Sequence, residues 1–200
     1  IFFEYALETA KLAKEKGLYN IFVTNGYMTP EALEMIKPYL DAANVDLKSF
    51  NDANYQKVCG GRLQPVLDTI SLMRRMNIWV EVTTLVVPGF NDSTPELKNI
   101  AEFLSGVGKE IPWHISRFHP DYKITDGEPT PLTKLKEACA IGKDAGLRYV
   151  YIGNILEEEK TYCYKCGQDL IARVGFNVVK NILKDGKCPG CATVLDGLDL

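Results

Sequence analysis

The feature that most constrains the fold is the repeated alternation of short apolar runs with amphipathic helical segments. Apolar runs bounded by turn residues predict strands at about 19–24, 42–48, 78–87, 113–118 and 147–153. Helical spacing with capping residues predicts one helix that ends at Gly17 and others at about 28–40, 63–77, 91–106 and 131–145. A chain in which strands and helices take turns forms right-handed crossovers, so this order predicts a mostly parallel sheet.

The number of strand and helix units is too small for a closed eight-stranded barrel, because only four full units and a fifth strand are predicted. The pattern therefore predicts an α/β fold whose sheet is either open or part of a barrel. We predict two domains, a sheet domain at 1–155 and a small cysteine-containing domain at 156–200.

The second domain contains two CxxC pairs, which are separated by 21 residues and comprise Cys163, Cys166, Cys188 and Cys191. Four thiolates at this spacing favour a structural zinc site, with a mononuclear iron site or an accessory iron–sulfur cluster as alternatives. A domain of about forty residues has little core of its own, so a bound metal would supply stability that packing cannot. A redox disulfide is disfavoured because the pairs occur twice and do not lie on a thioredoxin-like helix.

The other two cysteines, Cys59 and Cys139, have no partner at metal-ligand spacing. Unpaired cysteines of this kind are commonly small residues of the interior. We therefore predict that both are buried or half-buried.

Polar residues end several of the predicted strands. Thr24, Asn25 and Gly26 follow the first, and Asp46 and Lys48 lie at the end of the second. The carboxyl ends of parallel strands meet at one edge, where ligands bind. Residues two apart on a strand share a face, so Asp46 and Lys48 either bind an amino-acid-like ligand or pair with each other at an exposed strand end.

Composition and charge exclude several functional classes. The net charge of −3 argues against a nucleic-acid-binding surface, and between 161 and 200 five basic and four acidic side chains leave only +1. No apolar run reaches membrane-spanning length and no secretory signal is recognisable. Paired CxxC motifs suit a reducing compartment. We therefore predict a cytoplasmic protein that binds neither nucleic acid nor membranes.

Four segments together carry a family resemblance: NGYMTPE at 25–31, VDLKSFND at 45–52, VTTLVVPGFND at 82–92 and WHISRFHPDY at 113–122. In this order they resemble the later half of a radical S-adenosylmethionine (SAM) enzyme. The likeness is greatest to AmmeMemoRadiSam-type relatives of pyruvate formate-lyase activating enzyme, which also end in a paired CxxC segment. It implies a TIM-like partial (β/α)6 barrel, of which this chain would supply the third to sixth strands, followed by a zinc-ribbon-like domain.

The resemblance also implies an activity. Family members bind SAM at a [4Fe-4S] cluster and cleave it reductively to a 5'-deoxyadenosyl radical, which abstracts hydrogen from a substrate. The implied targets are an unnamed small molecule, a glycyl-radical protein, or a reaction that involves Memo-like partner proteins.

Site residues follow from the same resemblance. Thr24, Asn25 and Gly26 would lie beside the cofactor. Lys48 would contact the methionyl carboxylate of SAM, and Asp46 would help to organise its amino-acid end. Activating enzymes often carry an Asp just before the Thr-Asn-Gly element, whereas this chain has Val23 there, so a cation site shared with Asp46 is not expected.

The resemblance places His119 near the adenosyl part of SAM, although a histidine followed by Pro120 is by itself equally typical of an ordinary loop. The CxxxCxxC motif that holds the cluster in this family occurs nowhere in the 200 residues. The chain also begins at Ile1, with no initiator Met. We therefore expect a C-terminal segment of a longer enzyme, which alone neither binds the cluster nor cleaves SAM.

Two other functional classes remain open on the sequence. A non-radical barrel lyase or aldolase would use Lys48 as a Schiff-base nucleophile, which requires a desolvated amine. A zinc-ribbon module that binds nucleic acid or protein would place the function in the C-terminal domain instead.

Overall fold

The helices and strands follow the order that the alternating pattern predicts. The structure is a computed structural model and describes residues 2–125, 127–175 and 177–197. The helices are Phe3–Glu15 (α1), Pro30–Ile36 (α2), Asp52–Asn54 (α3), Leu63–Arg75 (α4), Thr94–Val107 (α5) and Leu132–Asp144 (α6). The strands are Ile21–Thr24 (β1), Ala42–Asp46 (β2), Trp79–Val86 (β3), Trp113–Arg117 (β4), Val150–Gly153 (β5), Glu158–Tyr162 (β6), Asp169–Val174 (β7) and Asn177–Asn181 (β8).

The first five strands form a parallel sheet in the order β1-β2-β3-β4-β5. This confirms the predicted α/β class with a parallel sheet. The family resemblance assigns four barrel strands to the chain, whereas the described sheet has five. The assignment to the third to sixth strands of a barrel therefore stays a prediction.

The chain divides into two compact units, one up to Thr84 and one from Leu85 onward, and each is described by itself. The division falls inside β3, because this long strand contributes residues to both units. The predicted domain boundary between 155 and 156 is not tested by this division and stays a prediction.

In the first unit, alternation along β2 and β3 separates a buried face from a polar one. Val45, Val80 and Val82 are buried on one face. On the other face Asp46 pairs in register with Thr83, and both are partly exposed. Since successive side chains of a strand point to opposite faces, the apolar residues form the core and leave the polar ones available for a site.

A short helical segment between β2 and α4 was not predicted from the sequence. The Asn51 side chain caps α3 by accepting hydrogen bonds from the backbone N–H groups of Ala53 and Asn54. The chain continues into a π-helical turn, Tyr55–Cys59, which ends at Gly60. Three-residue and five-residue elements are too short to show a helical period in sequence, which explains the omission.

In the second unit, α5 begins as the sequence predicts, with the Ser93 hydroxyl accepting from the backbone N–H of Glu96. Trp113 and Ile115 are completely buried on one face of β4. Gly142 of α6 permits this packing, because a Cβ atom at that position would lie 2.9 Å from the Trp113 ring. The close approach of α6 to β4 therefore requires a glycine.

The C-terminal part of the second unit is an antiparallel ribbon in the order β6-β7-β8. Its small core consists of Cys163, Leu170, Ile171, Cys188 and Leu195. Of these strands, β7 and β8 lie between the two CxxC pairs, and β6 precedes the first pair. None of the helices in the described part of the chain is both long and apolar enough to cross a membrane.

Candidate functional site

Asp46 and Lys48 meet at the carboxyl end of β2. The Lys48 Nζ donates a hydrogen bond to Asp46 Oδ2 at 2.8 Å, and the two side chains are 40% and 30% exposed. The strand ends at Asp46, so Lys48 lies just beyond it, yet the two side chains still reach the same side. Of the two sequence-based readings, mutual pairing is observed. The pair also keeps enough exposure to reach a ligand.

Tyr55 fixes the backbone of this pair. Its hydroxyl accepts a hydrogen bond from the backbone N–H of Lys48 at 3.0 Å, and the ring is almost completely buried. Burial raises the pKa of Tyr55 to about 12, so the group stays a neutral hydroxyl at physiological pH. Sequence reasoning missed Tyr55, because its partner lies across a turn that has no recognisable motif.

The polar face continues along β2 and β3 into residues that the sequence did not single out. The Thr83 hydroxyl donates to Asn44 Oδ1 at 2.8 Å. The Trp79 indole N–H donates to Glu81 Oε1 at 3.0 Å. The alternation in WVEVTTLV could have identified Glu81 and Thr83, since both are polar and lie on the same face of the strand.

Thr24, the last residue of β1, forms a tight turn with Asn25 and Gly26. The Thr24 hydroxyl accepts from the backbone N–H of Gly26 at 3.1 Å, and Asn25 Oδ1 accepts from that of Tyr27 at 3.0 Å. Gly26 has a φ of 71°, and a Cβ atom there would lie 2.6 Å from Val45 Cγ1. The two polar side chains thus order the turn, and Gly26 is the residue that its close packing on β2 requires.

Val23, which stands where the resembled enzymes often have an Asp, is 82% exposed at the end of β1. Its register partner on β2 is Asn44. An apolar side chain supplies no cation ligand, so the residues present give no basis for a shared cation site at Val23.

His119 belongs to the second unit and is exposed. Its Nε2 lies 3.5 Å from the backbone oxygen of Asn154, at the limit of a hydrogen bond. The Asn154 side chain in turn donates to the backbone oxygen of Arg117 at 3.1 Å. His119 is therefore held loosely at a strand end, which suits a ligand contact as well as an ordinary loop position.

Thr130 organises the same strand ends and was not predicted. It is fully buried, and its hydroxyl donates to the backbone oxygen of Val86 at 2.5 Å and accepts from the N–H of Phe118 at 3.1 Å. Its backbone oxygen accepts from Arg117 Nε at 2.9 Å. One threonine thus ties the end of β3 to the end of β4.

The four cysteines of the ribbon form one compact group, whose Sγ atoms all lie within 4.8 Å of one another. The Cys163 and Cys191 sulfurs are 3.6 Å apart, and those of Cys166 and Cys188 are 3.7 Å apart. Four thiolates at about 2.3 Å from one tetrahedral ion are separated by about 3.8 Å. The group therefore fits a single metal ion. A [4Fe-4S] cluster fits less well, since it binds each thiolate to a separate iron.

The two CxxC pairs have matching backbone turns. The N–H of Gly167 donates to the Cys163 oxygen at 2.8 Å, and the N–H of Ala192 donates to the Cys188 oxygen at 2.8 Å. Gly167 and Ala192 have φ values of 75° and 57°. Ala192 therefore occupies the place of the glycine in the second turn, in a left-handed conformation that an alanine adopts only with strain.

Two polar side chains contact the sulfurs. Cys191 Sγ lies 3.2 Å from the Thr193 hydroxyl, and Cys188 Sγ lies 3.3 Å from Gln168 Oε1. Hydrogen bonds with the Thr193 side chain and backbone lower the pKa of Cys191 to about 6. The pKa of Cys166 rises to about 12 despite a backbone hydrogen bond at Gln168, because its sulfur shares protons with the other three sulfurs. The bonds at Cys191 stabilise a thiolate, which is the form that binds metal.

The catalytic [4Fe-4S] cluster of the resembled family does not fit the residues present. Within the described ranges, the cysteines that come together are those of the ribbon, with Cys59 and Cys139 outside that group. Cys139 is half-buried, as predicted. The prediction that Cys59 is buried is wrong, because this residue lies at the exposed end of the π-helical turn.

The fold and the site define a class: an α/β protein with a parallel sheet, polar residues at the carboxyl ends of its strands, and a C-terminal four-cysteine metal-binding group. Comparison with protein families identifies the superfamily of the chain. A model of the radical SAM superfamily matches residues 2–104. The chain belongs to the radical SAM superfamily.

Two curated proteins of Methanocaldococcus jannaschii are similar to this chain. An uncharacterised protein is 42% identical over 98% of this chain and 60% of its own length. A putative glycyl-radical enzyme activating enzyme is 27% identical over 72% of this chain and 54% of its own length. The chain thus spans less than two thirds of the length of either relative.

A solved structure supports the fold. A domain of pyruvate-formate lyase-activating enzyme from Bacteroides vulgatus superposes with a TM-score of 0.67, covering 76% of this chain and 91% of that domain at 18% identity. At this identity, the likeness concerns the fold alone.

Proposed function

We propose that this chain carries the part of a radical SAM enzyme that binds the amino-acid end of SAM. The observation that carries the proposal is the Asp46–Lys48 pair at the carboxyl end of β2, in a chain that belongs to the superfamily. Ligands of parallel α/β sheets bind at this edge, and a lysine ammonium group is a suitable partner for a carboxylate.

Each residue has a role in this proposal. Lys48 binds the methionyl carboxylate, and Asp46 holds the lysine ammonium group in place before SAM arrives. Thr24, Asn25 and Gly26 form the turn beside the ligand, and the close packing of Gly26 on Val45 fixes the position of that turn. We assign His119 to the adenosyl part of SAM on the family resemblance together with its exposed position at a strand end.

The proposed activity belongs to the full-length protein. There, a [4Fe-4S] cluster would supply the electron for reductive cleavage of bound SAM, and the cofactor would supply the radical chemistry that abstracts hydrogen from a substrate. The 200 residues supply no cysteine set that fits this cluster, so we propose that the chain alone does not cleave SAM. The residues described here would bind and orient the cofactor.

The target of the radical is a further proposal. The name of the second Methanocaldococcus jannaschii relative supports a glycyl-radical protein as the partner. A small-molecule substrate and a reaction with a Memo-like protein are the alternatives that the family resemblance raised. For the compartment we propose the cytoplasm, because paired CxxC motifs suit a reducing environment.

The test of SAM binding uses the full-length protein, reconstituted anaerobically with iron and sulfide and reduced with dithionite. We expect 5'-deoxyadenosine to form in the wild-type protein. In Lys48→Met, we expect the Kd for SAM to rise about 10- to 100-fold, because a charged hydrogen bond contributes about 1.5–3 kcal/mol. Failure of the wild-type protein to form 5'-deoxyadenosine would contradict the radical SAM activity.

The matched control is Lys37→Met, which removes the same charge from an exposed position at the end of α2. We expect its affinity for SAM to equal that of the wild type. Equal affinities for SAM in the two variants would show that Lys48 is not part of the proposed site. The proposed radical SAM activity would still stand.

For the ribbon we propose a structural zinc ion held by Cys163, Cys166, Cys188 and Cys191. The sulfur spacing supports a single ion, and a closed set of four thiolates is typical of structural zinc. Elemental analysis of the purified chain tests this, with one zinc per chain expected. Cys166→Ser should lose the metal, whereas Cys59→Ser, at an exposed cysteine outside the group, should keep it. One iron per chain and no zinc would overturn the assignment.

The lyase alternative is not favoured by the geometry of Lys48. A Schiff-base lysine is desolvated, whereas this side chain is 40% exposed and bonded to a carboxylate. Trapping of a carbonyl substrate on Lys48 with borohydride would support the lyase. Salt-sensitive binding of DNA or RNA would support a nucleic-acid function for the ribbon.

A further inference from the structure

The two metal-binding turns of the ribbon both contact the chain just before β5. Tyr164 lies between Cys163 and Cys166 in the first turn. The centroid of its ring is 4.2 Å from the guanidinium carbon of Arg148. Asp196 follows the second turn, and its Oδ2 accepts a hydrogen bond from Arg148 at 2.7 Å. Arg148 is therefore held from two sides, by a residue of the first turn and by a residue that follows the second turn.

Tyr149 strengthens the same contact. Its hydroxyl donates to Asp196 Oδ2 at 3.0 Å and accepts from the backbone N–H of Asp196 at 3.2 Å. Its ring meets that of Tyr164 edge to face, with centroids 6.5 Å apart. The contact is partly shielded from water, since the Arg148 and Asp196 side chains are 33% and 24% exposed. Partly buried charged hydrogen bonds are stronger than exposed ones.

The two turns meet at the four-cysteine group. Besides the sulfur–sulfur contacts, the Tyr164 hydroxyl donates to the backbone oxygen of Val194 at 3.1 Å, and Gln168 Oε1 lies 3.3 Å from Cys188 Sγ. Among the described residues, five are buried in the ribbon core, and two of these are the ligands Cys163 and Cys188. Ile182, Leu183 and Cys191 pack against them. A core this small cannot by itself fix the two turns relative to each other, and a metal ion that bridges all four sulfurs can.

We propose that metal binding at the four cysteines docks the ribbon onto the start of β5, where Tyr164 and Asp196 both bind Arg148. The metal sets the distance between Tyr164 and Asp196, and only at that distance can both residues contact Arg148. Coupling of this kind is reciprocal, so the docking contact must also raise the affinity for the metal. The inference rests on the metal site proposed above.

The experiment is a titration of the metal-free, reduced 200-residue chain with Co²⁺, followed by the thiolate-to-cobalt charge-transfer absorbance. We expect Arg148→Gln and Tyr149→Phe to weaken Co²⁺ binding, the first by about fivefold or more. Tyr149→Phe keeps the ring and removes only the hydroxyl. The matched control is Arg75→Gln, which removes the same charge at an exposed position at the end of α4.

Hydrogen exchange supplies a readout that does not depend on affinity. On removal of Co²⁺, we expect exchange to rise in the two turns and at Asp196, whose backbone N–H donates to the Tyr149 hydroxyl, and to stay unchanged in the middle of α6. Protection at Asp196 that is the same with and without Co²⁺ would overturn the docking.

The outcomes separate the two proposals. No charge-transfer band in the wild-type chain would refute the metal site, and the coupling with it. A normal band together with equal Co²⁺ affinities in Arg148→Gln and Arg75→Gln would leave the metal site standing and overturn the docking alone.

Discussion

The hydroxyl of Tyr55 accepts a hydrogen bond from the backbone N–H of Lys48 at 3.0 Å. Tyr55 lies in the π-helical turn after β2, so this bond attaches a turn of irregular geometry to the strand end that carries the Asp46–Lys48 pair. Single π-helical turns are frequent at functional sites. The turn therefore acts as a support for the lysine.

Tyr55→Phe tests this support. The substitution keeps the buried ring and removes the acceptor, so we expect the free energy of unfolding to fall by about 1–2 kcal/mol. We also expect weaker SAM binding in the full-length protein, because the Lys48 backbone loses its anchor. Denaturant titration and calorimetry measure the two effects. Tyr5→Phe, at an exposed position of α1, should change neither. Tyr55→Phe with unchanged SAM affinity would show that the bond serves stability only.

Gly26 offers a test of the turn after β1. Gly26 and Gly17 both have a φ of 71°, but a Cβ atom at Gly17 would meet nothing within 4 Å, whereas one at Gly26 would lie 2.6 Å from Val45 Cγ1. Alanine at either position lowers the free energy of unfolding by about 1 kcal/mol, because it adopts a positive φ less readily than glycine. We expect Gly26→Ala to cost a further 1–3 kcal/mol or so from overpacking. Equal unfolding midpoints for the two variants would contradict the close packing.

The sequence predicted those features that depend on local pattern. Alternation along β3 gave the buried face that contains Val80 and Val82. Residues two apart on a strand share a face, and this rule predicted the contact between Asp46 and Lys48. The cysteine cluster followed from the CxxC spacing, because two residues between thiols suit one tight turn at a metal.

The remainder depends on contacts between distant residues, which no local pattern encodes. Thr130 lies in a loop without periodicity, and its hydrogen-bond partner Val86 is 44 residues away in the chain. In the sequence, nothing distinguishes Arg148 from an ordinary surface residue, because its partner Asp196 lies 48 residues away in the chain. A family resemblance supplied the cofactor and the roles of the site residues, because residue chemistry alone left Lys48 open to three functions.

Thr130→Val tests the tie between the ends of β3 and β4. Valine has nearly the same shape as threonine, but it removes the hydroxyl that bonds to Val86 and Phe118. Two buried backbone groups then lose a partner, so we expect the free energy of unfolding to fall by about 2–4 kcal/mol. Thr133→Val, at an exposed position of α6, should have little effect. A loss below about 0.5 kcal/mol for Thr130→Val would show that the loop is held by other contacts.

Glu159 of β6 gives a prediction for pH. Its Oε2 is buried and has no hydrogen-bond partner among the described residues, and burial raises the pKa of this carboxyl group despite a bond from the backbone of Ile152. The folded state therefore binds the proton more tightly than the unfolded state does. Stability contributed by the protonated form is present at low pH and is lost as the pH rises through the folded-state pKa.

Glu159→Gln removes the charge and keeps an oxygen acceptor. We therefore expect the variant to be more stable than the wild type at pH 7, and the difference to disappear as the pH falls below about 4, where the wild-type carboxyl group is neutral as well. Urea unfolding at several pH values measures this difference. Glu157→Gln is the control, because Glu157 is exposed. A Glu159→Gln variant that is less stable at pH 7 would show that the ionised carboxylate makes a favourable contact, most directly with the β5 backbone at Ile152.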